Sequence, residues 1–482
     1  MTNYTRDQAR YDLDICVNST NENHVIIGGI DLLESKNGGQ TWSQISQWYG
    51  GGGFQEVHAD QHKILWDLDH PGRVLFGNDG GIFLSTDNGR TIKNRNNGYN
   101  VTQFYALAIH PDKFSNYFLA GAQDNGSQQF DQFGIDNTVE VLGGDGFMCH
   151  IDLNEPNIQF VSLQFGGWRA SINGGVDFGV IRDVNLPNTD NGDVGSGFYT
   201  PSDYDNDANI LYTQGRDDNS IPLEFFRFEV SKLGIVGYNG DFVTITGFNS
   251  KIRHVYSSDN TNNRIYIGGD AGRILRIDNA HTGTSASGSQ INIPSNGSVS
   301  SIQEEAGNAA HLIATISNYG TNSVWESING GSNWINIEGD LPDMPVNWGA
   351  FHPYDNNKMI LATDAGVWTT EDINGANTNW IPSTQMPIVK TDMIQTRTSD
   401  GLIAVATHGR GLFTTDFLSP SVVNIDIDRV GYLNTPPKML DYSINPSSWM
   451  WDFGNGDTST VLLPNYTYRQ LGSNILKLIT QN

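Results

Sequence analysis

Ser35-Lys-Asn-Gly-Gly-Gln-Thr-Trp42 returns along the chain as Ser85-Thr-Asp-Asn-Gly-Arg-Thr-Ile92, Ser171-Ile-Asn-Gly-Gly-Val-Asp-Phe178 and Ser327-Ile-Asn-Gly-Gly-Ser-Asn-Trp334, with a looser copy between Thr370 and Trp380. The copies recur at whole multiples of a unit of roughly 40–50 residues, the length of a four-stranded propeller blade. In each copy a Ser or Thr hydroxyl and an Asn or Asp side chain can bond the backbone N–H groups of a tight turn. Gly relieves a position that needs positive φ, and the closing aromatic packs beneath. Function is therefore to be sought on the faces of a repeat array.

The sequence between the turns reads as blades. Phe104-Tyr-Ala-Leu-Ala-Ile-His110, Tyr117-Phe-Leu-Ala-Gly121, Arg264-Ile-Tyr-Ile-Gly268, Met359-Ile-Leu-Ala-Thr363 and Leu402-Ile-Ala-Val-Ala-Thr407 are short, rich in β-formers and bounded by turn residues. No helical periodicity competes with them. Inner strands are expected near 12–18, 58–67, 104–110, 147–152, 197–204, 253–258, 299–304, 348–352 and 392–396. The expectation is an all-β propeller of about eight to ten blades over residues 1–417.

The turn motif resembles the Asp-box, or BNR, repeat of sialidases, xyloglucanase-type glycoside hydrolases and sortilin-type receptors. In those families the box is a folding element, so the acids and amides inside it read as structural. Gly77-Asn-Asp-Gly-Gly81, Gln103-Phe-Tyr105, Gln123-Asp-Asn-Gly126 and Thr407-His-Gly-Arg-Gly411 are similar to secreted BNR-repeat proteins labelled glycosyl hydrolase or sortilin-like. That resemblance spans most of residues 10–416 and implies a fold more than an activity.

A second resemblance ends the chain. After the linker-like Leu418-Ser-Pro-Ser421 come Ser448-Trp-Met-Trp-Asp-Phe-Gly-Asn-Gly-Asp-Thr-Ser-Thr460, Pro464-Asn-Tyr-Thr-Tyr468 and Gly472. These resemble a PKD domain, which implies a small immunoglobulin-like β-sandwich over residues 418–482. Asn455 stands where that family usually has Asp.

Composition narrows the partners. Asp and Glu number 53 against 27 Lys and Arg, a net charge of −26. That field repels phosphate backbones and anionic lipids and suits calcium, neutral polysaccharide or a basic partner. Cys16 and Cys149 fall on inner strands of different blades and read as buried thiols. No apolar run is long enough to span a bilayer. The opening Met1-Thr-Asn-Tyr-Thr-Arg6 has neither a basic start nor an apolar core, so the expectation is a segment of a longer secreted or cell-surface protein, monomeric, with no nucleic-acid or membrane partner.

Propeller geometry sends the loops between second and third strands to the same face as the starts of inner strands. On that face the sequence places Asp79, Asp124, Asp217, Asp218, Asp270, Asp364, His408 and Arg410, with Asp145 in Gly143-Gly-Asp-Gly146 at an inner-strand start. Val57-His-Ala-Asp-Gln-His62 is the sharpest local group. In an extended strand His58, Asp60 and His62 share one side, and two imidazoles with a carboxylate are competent to bind a transition metal or to form a hydrogen-bonded plug. Calcium is the other cation that acid-rich loops suggest, although none matches an EF-hand loop.

Sialidases need three arginines for a substrate carboxylate, and here Arg is scarce and the Arg-Ile-Pro element is absent, so a sialidase is not expected. Xyloglucanase-like enzymes use two Asp residues in an inverting arrangement, for which Asp60 with Asp145 or Asp124 are the candidates. Trp66, Trp168, Trp348 and Tyr105 are the candidate sugar platforms. The reading is a propeller that binds or hydrolyses extracellular glycans, the partner being a polysaccharide or glycoprotein; the alternative is a non-catalytic adhesin or sortilin-like peptide receptor.

Overall fold

The computed structural model describes residues 4–6, 8–132, 138–182, 197–215, 223–233, 240–415, 425–427, 432–441 and 448–481. Up to residue 415 these form nine successive antiparallel meanders, each with an inner strand followed outward by its partners. The nine inner strands are Asp14–Asn18, Gln61–Trp66, Phe104–Ile109, Gly146–Ile151, Ser202–Asp205, Ile252–Ser257, Val299–Glu305, Val346–His352 and Thr391–Arg397. Each overlaps an expected inner strand. Alternating apolar positions explain why: Phe104, Ala106, Met148, Val299 and Ile302 are buried between neighbouring sheets.

Only seven of the nine close into a ring. Phe104–Ile109 packs on Gly146–Ile151 on one side and on Thr391–Arg397 on the other. The closure is polar as well as apolar. Arg397 lies buried with two bonds to Asp400 (Nε to Oδ1 2.9 Å, Nη2 to Oδ2 2.7 Å), and its Nη1 donates to the carbonyls of His110 (2.8 Å) and Ser115 (3.0 Å) in the first ring blade. Asp400 Oδ2 also accepts from Phe114 N at 2.7 Å. One ion pair thus ties residues almost 300 positions apart.

The first two sheets stand outside that ring as a pair. Asp14–Asn18 packs on Gln61–Trp66, Asp14 Oδ2 accepts from Ile64 N at 2.5 Å, and Ile26, Leu32, Ile64, Trp66 and Phe76 form their shared core. Their outward sides stay apolar and open. Leu13, Ile15 and Val17 are exposed on one sheet, and Leu65 and Leu75, paired in register, are exposed on the other. A sheet in the middle of a propeller has neighbours on both sides; among the described residues each of these packs its inner strand on one other sheet.

The repeated turns share one bonding pattern. Ser35 Oγ accepts from Gly39 N at 2.8 Å and Asn37 Oδ1 from Thr41 N at 2.9 Å. Ser85 with Gly89 and Asp87 with Thr91, Ser171 with Gly175 and Asn173 with Asp177, and Ser327 with Gly331 and Asn329 with Asn333 repeat it. At the looser copy Thr370 Oγ1 accepts from Asp372 N at 3.3 Å. The hydroxyl and the amide or carboxylate oxygen spend these bonds inside the turn, as a folding element does.

Beyond residue 415 the strand Ser448–Asp452 lies between Thr458–Ser459 and Lys477–Gln481. Trp451 and Phe453 are buried with Leu478, and Phe453 stacks on Tyr466 with centroids 3.8 Å apart. Asn455 Nδ2 donates to Tyr466 OH at 2.6 Å. The expected linker at 418–421 lies outside the described residues. Cys16 and Cys149 are both free thiols, and burial pushes Cys149 up to about 12.

Candidate functional site

In an antiparallel meander the loop between second and third strands and the turn between third and fourth lie at opposite ends of the third strand. The repeated turns therefore occupy one face. The loops 78–81, 122–126, 269–274, 363–366 and 407–411 occupy the other. On that second face the two-sheet pair meets the ring. Asn125 Nδ2 donates to the carbonyl of Asp79 at 3.0 Å, and His58 Nε2 lies 2.8 Å from the carbonyl of Asp124. Gly80 makes the approach possible, since a Cβ there would fall 2.3 Å from the His58 ring.

Three acids converge at this junction. Asp60, Asp79 and Asp124 each offer a carboxylate oxygen, all within 4.8 Å of one another. Asp60 and Asp124 sit at φ 64° and 61°, left-handed backbone that turns their side chains out of the strand direction. His62 Nε2 lies 2.6 Å from Asp79 Oδ1, and Tyr11 OH donates to Asp79 Oδ2 at 2.9 Å. Gln8 Nε2 donates to Asp60 Oδ1 at 3.2 Å, and Asp145 Oδ1 accepts from Asp124 N at 2.9 Å.

The charges are not balanced locally. Among the described residues none of Asp12, Asp60, Asp79, Asp124 and Asp145 pairs with Lys or Arg; the one ion pair is the His62–Asp79 contact. Burial first, then the neighbouring Asp79 and Asp145, pushes Asp124 up to about 8. Burial and Asp79 raise Asp60 as well. A carboxyl in that state carries a proton near neutral pH unless a cation or ligand takes its place.

The remaining acids of this face have partners. Asp270 receives Arg253 Nε at 2.7 Å and Ser298 Oγ at 2.8 Å, and although burial raises it, these bonds outweigh burial and hold it below the usual carboxylate range. Asp364 Oδ1 accepts from Asn347 Nδ2 at 3.0 Å. His408 Nδ1 lies 3.1 Å from Asp392 Oδ2, and its ring meets Tyr105 edge-on. Arg410 sits in the same turn, its N–H donating to Thr407 Oγ1. Tyr105 OH donates to Gln123 Oε1 at 2.9 Å, which joins the channel mouth to the acidic junction. Asp217 and Asp218 lie outside the described residues.

One expectation needs correction. His58, Asp60 and His62 do not alternate along a strand, because Asp60 is left-handed and the strand begins at Gln61. Each imidazole turns to an oxygen instead, and Asp60 groups with Asp79 and Asp124 rather than with the histidines. Asp60 and Asp124, one of the candidate inverting pairs, each bring a carboxylate oxygen within 4.8 Å of the other. Of the aromatic platforms, Trp66 and Trp168 are core residues. Trp348 lines the ring channel, a cavity of about 370 Å³ shared with His150, Asp203, His254 and Gln395.

Asp12 and Asp392 were not singled out from the sequence. Both stand at or just before an inner strand, the position that flagged Asp145, so the same rule applied to every blade finds them. Asp12 is wholly buried, and its carboxylate oxygens have no hydrogen-bond donor among the described residues.

Scans of protein-family models and of curated proteins gave no match. Among solved structures the chain is similar to the GH74 enzyme of Niastella koreensis, at TM-score 0.51 and 16% identity, over 83% of this chain and 59% of that one. The chain thus spans less than two thirds of that enzyme. YCF48 from Cyanidioschyzon merolae follows at TM-score 0.35 and 12% identity, covering 74% of this chain and 94% of that one. The C-terminal WD40 domain of Sif2 gives 0.44 and 10%, covering 65% and 95%. No helix among the described residues is long and apolar enough to cross a membrane. What the likeness to the GH74 enzyme shows, at this identity, is that the chain has a β-propeller fold.

Proposed function

We propose that the chain is an extracellular or cell-surface propeller of the Asp-box type, ending in a PKD-like domain, that binds a glycan across the junction of the two-sheet pair and the ring. One observation carries this: the acids at the junction have no Lys or Arg partner among the described residues, whereas the Ser hydroxyl and the Asn or Asp oxygen of the four close copies of the repeated turn bond within it. Carboxylates, the amides of Gln123 and Asn125 and the aromatic face of Tyr105 lie side by side there, the set that sugar hydroxyls and ring C–H groups use. The likeness to a GH74 enzyme supports a glycan-related role at the level of fold.

Hydrolysis is the second reading, favoured by the raised Asp124. A carboxyl that keeps its proton near neutral pH is suited to protonate a leaving oxygen.

The test is a glycan-array and polysaccharide-hydrolysis screen of the whole chain beside Asp124→Asn. Binding that weakens at least tenfold in the variant supports the glycan reading, and release of reducing ends lost in the variant adds hydrolysis. Binding of peptides but of no glycan would replace it with the receptor alternative.

A further inference from the structure

The repulsion at the junction is larger than three half-buried acids alone would give, because a fourth lies behind them. Asp12 has no exposed surface, neither of its oxygens has a hydrogen-bond donor among the described residues, and its carboxyl lies against that of Asp60. A buried carboxylate without a partner costs several kcal/mol, roughly, and persists where something outside the chain compensates it. A shared proton between Asp12 and Asp60 relieves one charge. It leaves Asp79 and Asp124 facing them.

We propose that a calcium ion binds at the junction, held by one oxygen from each of Asp60, Asp79 and Asp124, with buried Asp12 as the charge behind Asp60. The spacing fits the ion. Calcium takes oxygens at about 2.3–2.6 Å, so two of its ligands stand up to about 5 Å apart, and the three oxygens here lie within 4.8 Å. Magnesium sheds its waters reluctantly and is seldom held by protein carboxylates alone. The donor set is all oxygen, since the nearby imidazole nitrogens are engaged with the Asp79 carboxylate and the Asp124 carbonyl, which disfavours zinc and copper. His62, Tyr11 and Gln8 then orient Asp79 and Asp60 as outer partners. Two of the three ligands come from the pair and one from the ring, so the ion joins the two parts.

This site stands on the carboxylates and does not rest on the glycan reading, and the two fail separately. The experiment is calorimetric titration of the chelator-treated whole chain with calcium chloride and with magnesium chloride, followed by melting curves. The expected result is one calcium per chain, weaker magnesium, and a calcium-dependent rise in Tm. Asp60→Asn and Asp124→Asn each lower the calcium affinity at least tenfold while melting at or above the wild type in chelator. Asp270→Asn, on the same face but paired with Arg253, leaves calcium binding unchanged. Absence of calcium binding by the wild-type chain, wild-type affinity in both junction variants, or tighter magnesium than calcium would overturn the assignment. Calcium binding would also leave no proton on Asp124, and so would count against Asp124 as an acid catalyst.

Discussion

Asp87 and Asp124 are both acids in short loops of successive sheets, and their surroundings treat them in opposite ways. Asp87 accepts from Thr91 N and Thr91 Oγ1 at 2.8 Å and from Ser85 Oγ at 2.9 Å, and those bonds, led by the backbone one, hold it below the usual range. Asp124 is half-buried among Asp60, Asp79 and Asp145 and is pushed upward. The lesson is that residue type does not distinguish a structural acid from a functional one. What distinguishes them is whether the loop supplies its own donors.

Arg397 tests the satisfied extreme. Its ion pair with Asp400 is buried, and the bonds to His110 and Ser115 close the ring. Arg397→Ala strands Asp400 without its charge partner and should cost about 3–5 kcal/mol, read as a large drop in Tm or loss of soluble protein. A change within a degree would mean that the apolar contacts alone close the ring.

Asp87→Ala removes three bonds inside a turn and should cost about 1–2 kcal/mol without touching ligand or calcium binding. Loss of binding with unchanged Tm would place function on the wrong face.

His311 offers the smallest effect and a pH signature. It bridges Glu305 (2.6 Å) and Glu326 (2.9 Å); burial lowers its pKa, but the two acids outweigh burial and raise it. The bridge therefore contributes in full below the ordinary histidine value of about 6.5 and is lost as pH rises through the raised folded value. His311→Gln should destabilise by about 1 kcal/mol at pH 5.5 and by clearly less at pH 9. A pH-independent difference would show that packing against Phe351 is what matters.

Most of the fold was legible because it repeats. The turn residues and the alternation of Phe104, Ala106 and Met148 announce blades locally, and all nine inner strands follow. Where the ring closes was not legible, since closure depends on which inner strand meets Phe104–Ile109, a contact across almost 300 residues that leaves no local pattern. The site was legible as a face. Its grouping was not, because the left-handed turn at Asp60 breaks the alternation that placed His58, Asp60 and His62 together, and because Asp12 reads as an ordinary strand start until its burial is seen.

The most direct measurement is the melting temperature of Asp124→Asn beside Asp87→Ala, in chelator at neutral pH. Folding with Asp124 ionised is penalised progressively as pH rises from its ordinary value of about 3.8 towards its folded value near 8, so removing that charge should stabilise by about 1–3 kcal/mol after allowance for its partial exposure. Asp87→Ala should destabilise, since it removes the acceptor that closes the turn on Thr91 and Ser85. Opposite signs in the two variants are the predicted result; a loss of stability in both would contradict the account, by showing Asp124 to be as structural as Asp87.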